Sequence, residues 1–136
     1  MKVFLDSSVI LSACGSEKSL SLLVAEIAPE RGWQLTSSAY CRAETTRSIG
    51  RFAAGAGLYW EKLRGQIAWV PNALATSSPQ ILTAAKNRPL IMSALAVGCE
   101  VLLTLDTRDF QLLLGTKVYG LLVTTPRQFL VREAMG

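Results

Sequence analysis

Ten acidic side chains and no histidine set the terms on which this 136-residue chain can do chemistry. Ser–His and Cys–His nucleophilic mechanisms are excluded at once, because each needs an imidazole base. Three cysteines, Cys14, Cys41 and Cys99, are odd in number, widely spaced and set in apolar neighbourhoods. They read as buried reduced thiols rather than a disulfide framework or a zinc site. Carboxylates are what remains, and carboxylates that work together without imidazole point to a hard metal ion. The aspartates are Asp6, Asp106 and Asp109. Asp6 closes the apolar run Lys2-Val3-Phe4-Leu5, and Asp106 directly follows Val101-Leu102-Leu103-Thr104-Leu105. The glutamates are more scattered, with Glu44 in Cys41-Arg42-Ala43-Glu44-Thr45-Thr46-Arg47.

The elements that must position these acids follow from the hydrophobic pattern. Lys2–Leu5 reads as a strand running into a helix carrying Val9, Ile10, Leu11 and Ala13, broken at Gly15-Ser16. Ser16 is placed to cap a second helix with Leu20, Leu23, Val24 and Ile27 at helical spacing, ended by Pro29 to Gly32. Trp33–Thr36 is the second strand, and Ser37-Ser38 opens a helix from about Ala39 to Phe52. A helix near Leu58–Arg64 leads to a third strand, Ile67–Val70, stopped by Pro71. Ser78-Pro79 starts a short helix to about Ala85, since proline has no amide hydrogen to leave unpaired there. Asn87 or Arg88 starts the next helix, ending at Gly98. Glu100–Leu105 is the strongest strand, Tyr119–Thr124 the last, and Thr125-Pro126 caps a final helix with Phe129 and Leu130.

Strands apolar on both faces and alternating with helices imply a parallel sheet covered on both sides, an α/β, three-layer α-β-α arrangement. Length and the absence of a linker or repeat predict a single domain over residues 1–136. In such sheets ligands bind beyond the carboxyl ends of the strands. Asp6, Asp106 and Asp109 then emerge at one rim despite their separation in sequence, and Glu44 lies on the helix that leaves the second strand there.

Each acid taken alone has a plain structural explanation. Asp6 can cap the first helix, Asp106 and Asp109 can be a cap and a first-turn acid, and Glu44 can pair with Arg47. Their conjunction is harder to explain that way. Carboxylates converging without a histidine or buried lysine repel one another unless a divalent cation intervenes, and oxygen-only ligation suits Mg²⁺ or Mn²⁺. At 100° per residue Tyr40, Glu44, Arg47 and Arg51 also share one helical stripe, where a phosphate backbone could run along the two guanidiniums. Cys41, Thr45, Ile49 and Phe52 form the opposite, core-facing side.

These residues resemble the PIN domain family. Val3-Phe4-Leu5-Asp6-Ser7-Ser8-Val9-Ile10 resembles the family's opening strand, Asp and small polar residue. Leu102-Leu103-Thr104-Leu105-Asp106-Thr107-Arg108-Asp109-Phe110 resembles its later acidic loop, and Glu44 sits where the family carries an acid on a helix. Lys86-Asn87-Arg88-Pro89-Leu90-Ile91 stands in place of a Lys-Asp-Arg-Pro-type helix start, and Leu122–Leu130 resembles the last strand and helix. The resemblance covers nearly the whole chain in order. It implies a PIN-like fold and a Mg²⁺- or Mn²⁺-dependent ribonuclease, with metal ligands Asp6, Glu44 and Asp106 and with Asp109 completing or orienting the site. A two-metal scheme then supplies the attacking water and neutralises the phosphate. The resemblance also implies a toxin held by an antitoxin protein and a homodimer. One departure stands out: the family's third acid falls at Asn87, an amide that brings no charge and weakens metal affinity. A non-catalytic PIN-fold module binding RNA or protein is therefore the alternative. A flavodoxin-like binder ranks last, because Asp6-Ser7-Ser8 stands where a glycine-rich phosphate loop belongs.

Bulk properties agree. A net charge of +4 favours a polyanionic partner such as RNA. Half the residues are apolar, with a mean hydropathy of +0.32, ample for a core. No apolar run is long enough to span a bilayer, and an acid stands too early for a secretory signal, so a soluble cytoplasmic protein is expected. The second helix carries more apolar positions (Leu20, Leu22, Leu23, Ile27) than one buried stripe requires, consistent with a dimer or antitoxin surface.

Overall fold

The computed structural model describes residues 1–51, 55–72 and 88–135. In chain order the elements are β1 (Lys2–Leu5), α1 (Ser7–Gly15), α2 (Leu20–Arg31), β2 (Gln34–Ser38) and α3 (Ala39–Ser48), followed by α4 (Ala56–Arg64) and β3 (Ala68–Val70). Then come α5 (Arg88–Ala96), β4 (Val101–Leu103), β5 (Lys117–Val118), β6 (Leu121–Thr124) and α6 (Pro126–Met135). The helix expected from Ser78-Pro79 to about Ala85 lies outside the described residues, as does Asn87.

The strands form one sheet in the order β3-β2-β1-β4-β6-β5, all parallel except β5, which runs antiparallel to β6. Side chains alternate between the two faces, as the strand period of two requires. Val3, Leu5, Val101, Leu103 and Leu122 enter one core with residues of α1, α2, α4 and α6. Phe4, Leu102, Leu121 and Val123 enter the other with Leu90, Ile91 and Ala94 of α5, Cys41 and Phe110. Two covered faces explain why these strands read as unbroken apolar runs. The result is the three-layer α-β-α arrangement, PIN-like, with a mostly parallel sheet.

The order of the strands places the site. From β1 the chain moves outward to β2 and β3, then returns to the other side of β1 for β4 and β6. The adjacent, parallel pair β1 and β4 is thus the switch point of the sheet, where connections diverge and open a crevice beyond the strand ends. Asp6 follows β1 and Asp106 lies just past β4.

Several boundaries differ from expectation for local reasons. Ser19, not Ser16, caps α2: its hydroxyl accepts from the Ser21 and Leu22 amides at 3.1 and 3.4 Å. Ser16 instead accepts from the Lys18 amide in the preceding turn. Pro29 sits inside the last turn of α2, and Gly32 at φ 71° ends the helix in the left-handed conformation that glycine adopts without a Cβ clash. The helix expected to reach Phe52 ends at Ser48 and tightens into a 3₁₀ turn, Ile49–Arg51. The strand expected from Tyr119 is a hairpin: Tyr119 and Gly120 both have positive φ, 50° and 88°, as a two-residue type I′ turn between β5 and β6 requires. Cys14, Cys41 and Cys99 are buried free thiols, with burial pushing Cys14 and Cys99 to about 11. Leu22 is buried, whereas Leu20 and Leu23 stand 42% and 41% exposed. Among the described residues no single helix is long and apolar enough to cross a membrane.

Candidate functional site

Asp6 is held at the end of β1 by its own backbone, which continues the pairing with β4 through a bond from its amide to the Leu103 carbonyl at 3.0 Å. It occupies the cap position of α1, yet its side chain makes no capping bond there. The carboxylate is instead gripped by hydroxyls. Thr104 donates to Oδ2 at 2.8 Å and Ser8 to the same oxygen at 2.9 Å, while Ser7 stands 3.4 Å from Oδ1. Both donors to Oδ2 are themselves acceptors from the acidic loop: the Asp106 amide donates to Thr104 Oγ1 and the Leu105 amide to Ser8 Oγ, each at 3.0 Å. Two backbone N–H groups are thus relayed through hydroxyls onto one buried carboxylate, and each link polarises the next.

Glu44 reaches the same place from α3. Its Oε1 accepts from Ser7, the hydroxyl that also lies beside Asp6, and its Oε2 accepts from Tyr40 at 3.1 Å. A serine has one proton to give, so Ser7 serves one carboxylate at a time and holds the two acids side by side. The pairing of Glu44 with Arg47 is not made; among the described residues the recorded ion pair is Glu61 with Arg64. Asp106 lies at the same crevice, and there the capping explanation does hold: its Oδ1 accepts from the Asp109 amide at 3.1 Å.

Asp6, Glu44 and Asp106 together line a cavity of about 300 Å³ with Ser7, Ser8, Leu11, Tyr40, Ser48 and Leu90. No lysine or arginine is among these lining residues. Burial is the main reason the Asp6 carboxyl is raised above its ordinary range; the Thr104 and Ser8 hydroxyls and the Ser7 backbone pull it down, and Glu44 pushes it up. The charge of Glu44 and its hydrogen bond likewise raise the Tyr40 phenol.

Three of the acids singled out in the sequence therefore meet on one cavity. Asp109 does not line it and touches the site through its amide on Asp106. Arg47 and Arg51 are exposed and off the cavity wall, Arg51 having left α3 for the 3₁₀ turn. Asn87 is not among the described residues. Sequence reasoning missed Thr104 and Tyr40. A signal for Thr104 existed, a lone hydroxyl in an otherwise apolar strand run; for Tyr40 it was only a place on the Glu44 stripe.

The donors are all oxygen, the chemistry of Mg²⁺ and Mn²⁺. Among the described residues no three His, Cys, Asp or Glu side chains stand close enough together to form a metal cage. Mg²⁺ does not demand one, since it keeps several waters and is commonly held by one or two carboxylates plus substrate phosphates. Asp6 and Glu44, which share Ser7, with Asp106 on the same cavity, fit that looser mode.

The comparison of folds agrees with the topology. A chain in the crystal structure of VapBC2 from Rickettsia felis bound to a DNA fragment from their promoter superposes with a TM-score of 0.62. The match covers 90% of this chain and 97% of that one, at 11% sequence identity. The likeness is one of fold. Neither a protein-family model nor a curated protein matches the chain in sequence.

Proposed function

We propose that this protein is a metal-dependent ribonuclease that hydrolyses RNA phosphodiester bonds, the toxin of a toxin–antitoxin pair. The observation that carries the reading is the cavity at the β1–β4 switch point, lined by three carboxylates from separate elements and by no basic side chain among its described lining residues. Such an arrangement suits a site whose missing positive charge arrives with a ligand. Asp6, Glu44 and Asp106 would hold Mg²⁺ or Mn²⁺, and Asp109 would orient Asp106 through its amide. When bound, the ion would lower the pKa of an attacking water and offset charge on the phosphate. The chain's own share is positional. Thr104 and Ser8 fix Asp6 against the loop of Asp106, Ser7 spaces Asp6 from Glu44, and exposed Arg47 and Arg51 would attract the RNA backbone. The PIN resemblance supports the activity and the antitoxin partner. The likeness in fold to a chain of VapBC2, in a structure bound to a promoter DNA fragment, is in keeping with a partner-bound protein. Exposed Leu20 and Leu23 on α2 suit a homodimer or antitoxin contact.

The second reading is a non-catalytic PIN-fold module that binds RNA or protein. It is favoured by Asn87 at the third acidic position and by the lack of a three-acid cage among the described residues. One experiment separates the two: Mn²⁺-dependent cleavage of a mixed RNA pool by the protein, by Asn87→Asp, and by Asn87→Asp combined with Asp6→Asn. Cleavage by Asn87→Asp that is lost in the double variant supports the nuclease and makes Asn87 its weakened ligand. No cleavage by either of the first two proteins moves the binding module to first place.

A further inference from the structure

A second cavity adjoins the acidic one. It measures about 270 Å³ and is lined by Ser38, Tyr40, Asn72, Pro89, Leu90 and Ser93. Tyr40 and Leu90 belong to both cavities, so they form the wall between them. The two spaces differ in chemistry: the first is ringed by carboxylates and hydroxyls, the second offers Pro89, Leu90 and the tyrosine ring with few polar groups at its edge. Tyr40 is 48% exposed, so one side of its ring is open to a ligand. Its hydroxyl donates to Glu44 Oε2 at 3.1 Å, anchoring the far end of the ring, while its backbone amide donates to Asn72 Oδ1 at 2.8 Å. An accessible ring anchored by its hydroxyl beside an acidic cavity is what single-stranded nucleic acid binding can use, because every base has a π face on which such a ring stacks.

We propose that this second cavity receives a nucleobase of single-stranded RNA next to the scissile phosphate, with Tyr40 as the stacking wall and Leu90 and Pro89 as its apolar floor. The inference rests on the ribonuclease reading and deepens it: the strand would cross the partition with a phosphate on the acidic side and the neighbouring base on the other. The Asn72 carbonyl is already occupied by the Tyr40 amide, so its NH₂ is what it can offer a base edge. In a duplex the edge is taken by pairing and the π face by stacked neighbours, so the site takes unpaired strands.

The test is equilibrium binding of a fluorescent single-stranded RNA in Ca²⁺, with electrophoresis confirming that the RNA stays intact. It uses the unaltered protein, Tyr40→Phe and Tyr40→Leu. A companion set of RNAs carries one abasic position each. Tyr40→Leu should weaken binding roughly five- to hundredfold, about 1–3 kcal/mol, while Tyr40→Phe stays within about twofold. One abasic position should weaken the unaltered protein by a similar factor and cost Tyr40→Leu nothing further. That coupling is what a merely structural tyrosine would not produce. An abasic penalty equal in both proteins, or absent at every position, overturns the stacking site while leaving the nuclease reading intact. If the unaltered protein binds no RNA at all, the nuclease reading fails and takes this inference with it.

Discussion

Replacing Thr104 by valine removes one hydroxyl and almost no volume, which makes it a clean probe of the relay that holds Asp6. Thr104 is fully buried, and its hydroxyl donates at 2.8 Å to a carboxylate that is itself only 8% exposed. Hydrogen bonds to charged groups are worth about 1.5–3 kcal/mol, and the stranded Asp106 amide adds about 0.5–1 kcal/mol because it can turn partly to water. Thr104→Val should therefore cost about 2–4 kcal/mol at neutral pH in metal-free buffer, a fall in Tm on the order of 10 °C. The loss should depend on pH in a definite direction. The Asp6 carboxyl is raised in the folded protein, so its ionised form costs stability, a cost absent below the unfolded value and growing as pH rises through the folded one. Thr104 opposes that rise, so its removal lifts the folded value further. The penalty of Thr104→Val is accordingly full above the variant's own Asp6 value and shrinks on acidification, as a protonated carboxyl no longer makes the charge-assisted bond. Urea unfolding over a pH series from neutral down to the acid limit of the fold measures it, with Thr104→Ser as the control that keeps the hydroxyl. A penalty independent of pH, or below about 0.5 kcal/mol at neutral pH, would refute the relay.

Two further outcomes follow from the same geometry. Mn²⁺ should raise the Tm of the unaltered protein, by the equivalent of about 2.7 kcal/mol at a hundredfold excess over its Kd, and should not raise that of Asp6→Asn; equal shifts in both would place the ion elsewhere. Ser19→Ala should cost about 1 kcal/mol in urea unfolding through loss of the α2 cap, whereas Ser16→Ala should cost no more than about half that; the reverse order would mean the cap is misassigned.

Alternation and end position were legible because they are local. A strand buried on both faces must be apolar at every position, so β1 and β4 show themselves in Val3-Phe4-Leu5 and Val101-Leu102-Leu103, and the acids that stop them follow from the backbone direction alone. The same locality limited the reading. Ser16 and Ser19 are equivalent caps by residue type, and only the path of the turn chose between them. The β5–β6 hairpin turns on Tyr119-Gly120 rather than an Asn-Gly pair, so its positive φ values left little mark in residue type.

By itself, then, the sequence determined an α/β layered fold, three buried thiols and a set of acids bound for one rim, since periodicity and strand direction require no knowledge of distant contacts. Tertiary structure alone decided how those acids are used. Asp6 meets Thr104 and Glu44 meets Ser7 across separations of 98 and 37 residues, so no local pattern could announce either contact. Asp109, one turn from Asp106, was left off the cavity by the way its loop folds onto the Asp106 carboxylate. Tyr40 came to line two cavities because the connections leaving the adjacent strands β1 and β4 diverge at the switch point and α3 and α5 both contribute residues beside it, a geometry that belongs to the order of the strands rather than to any neighbouring residue.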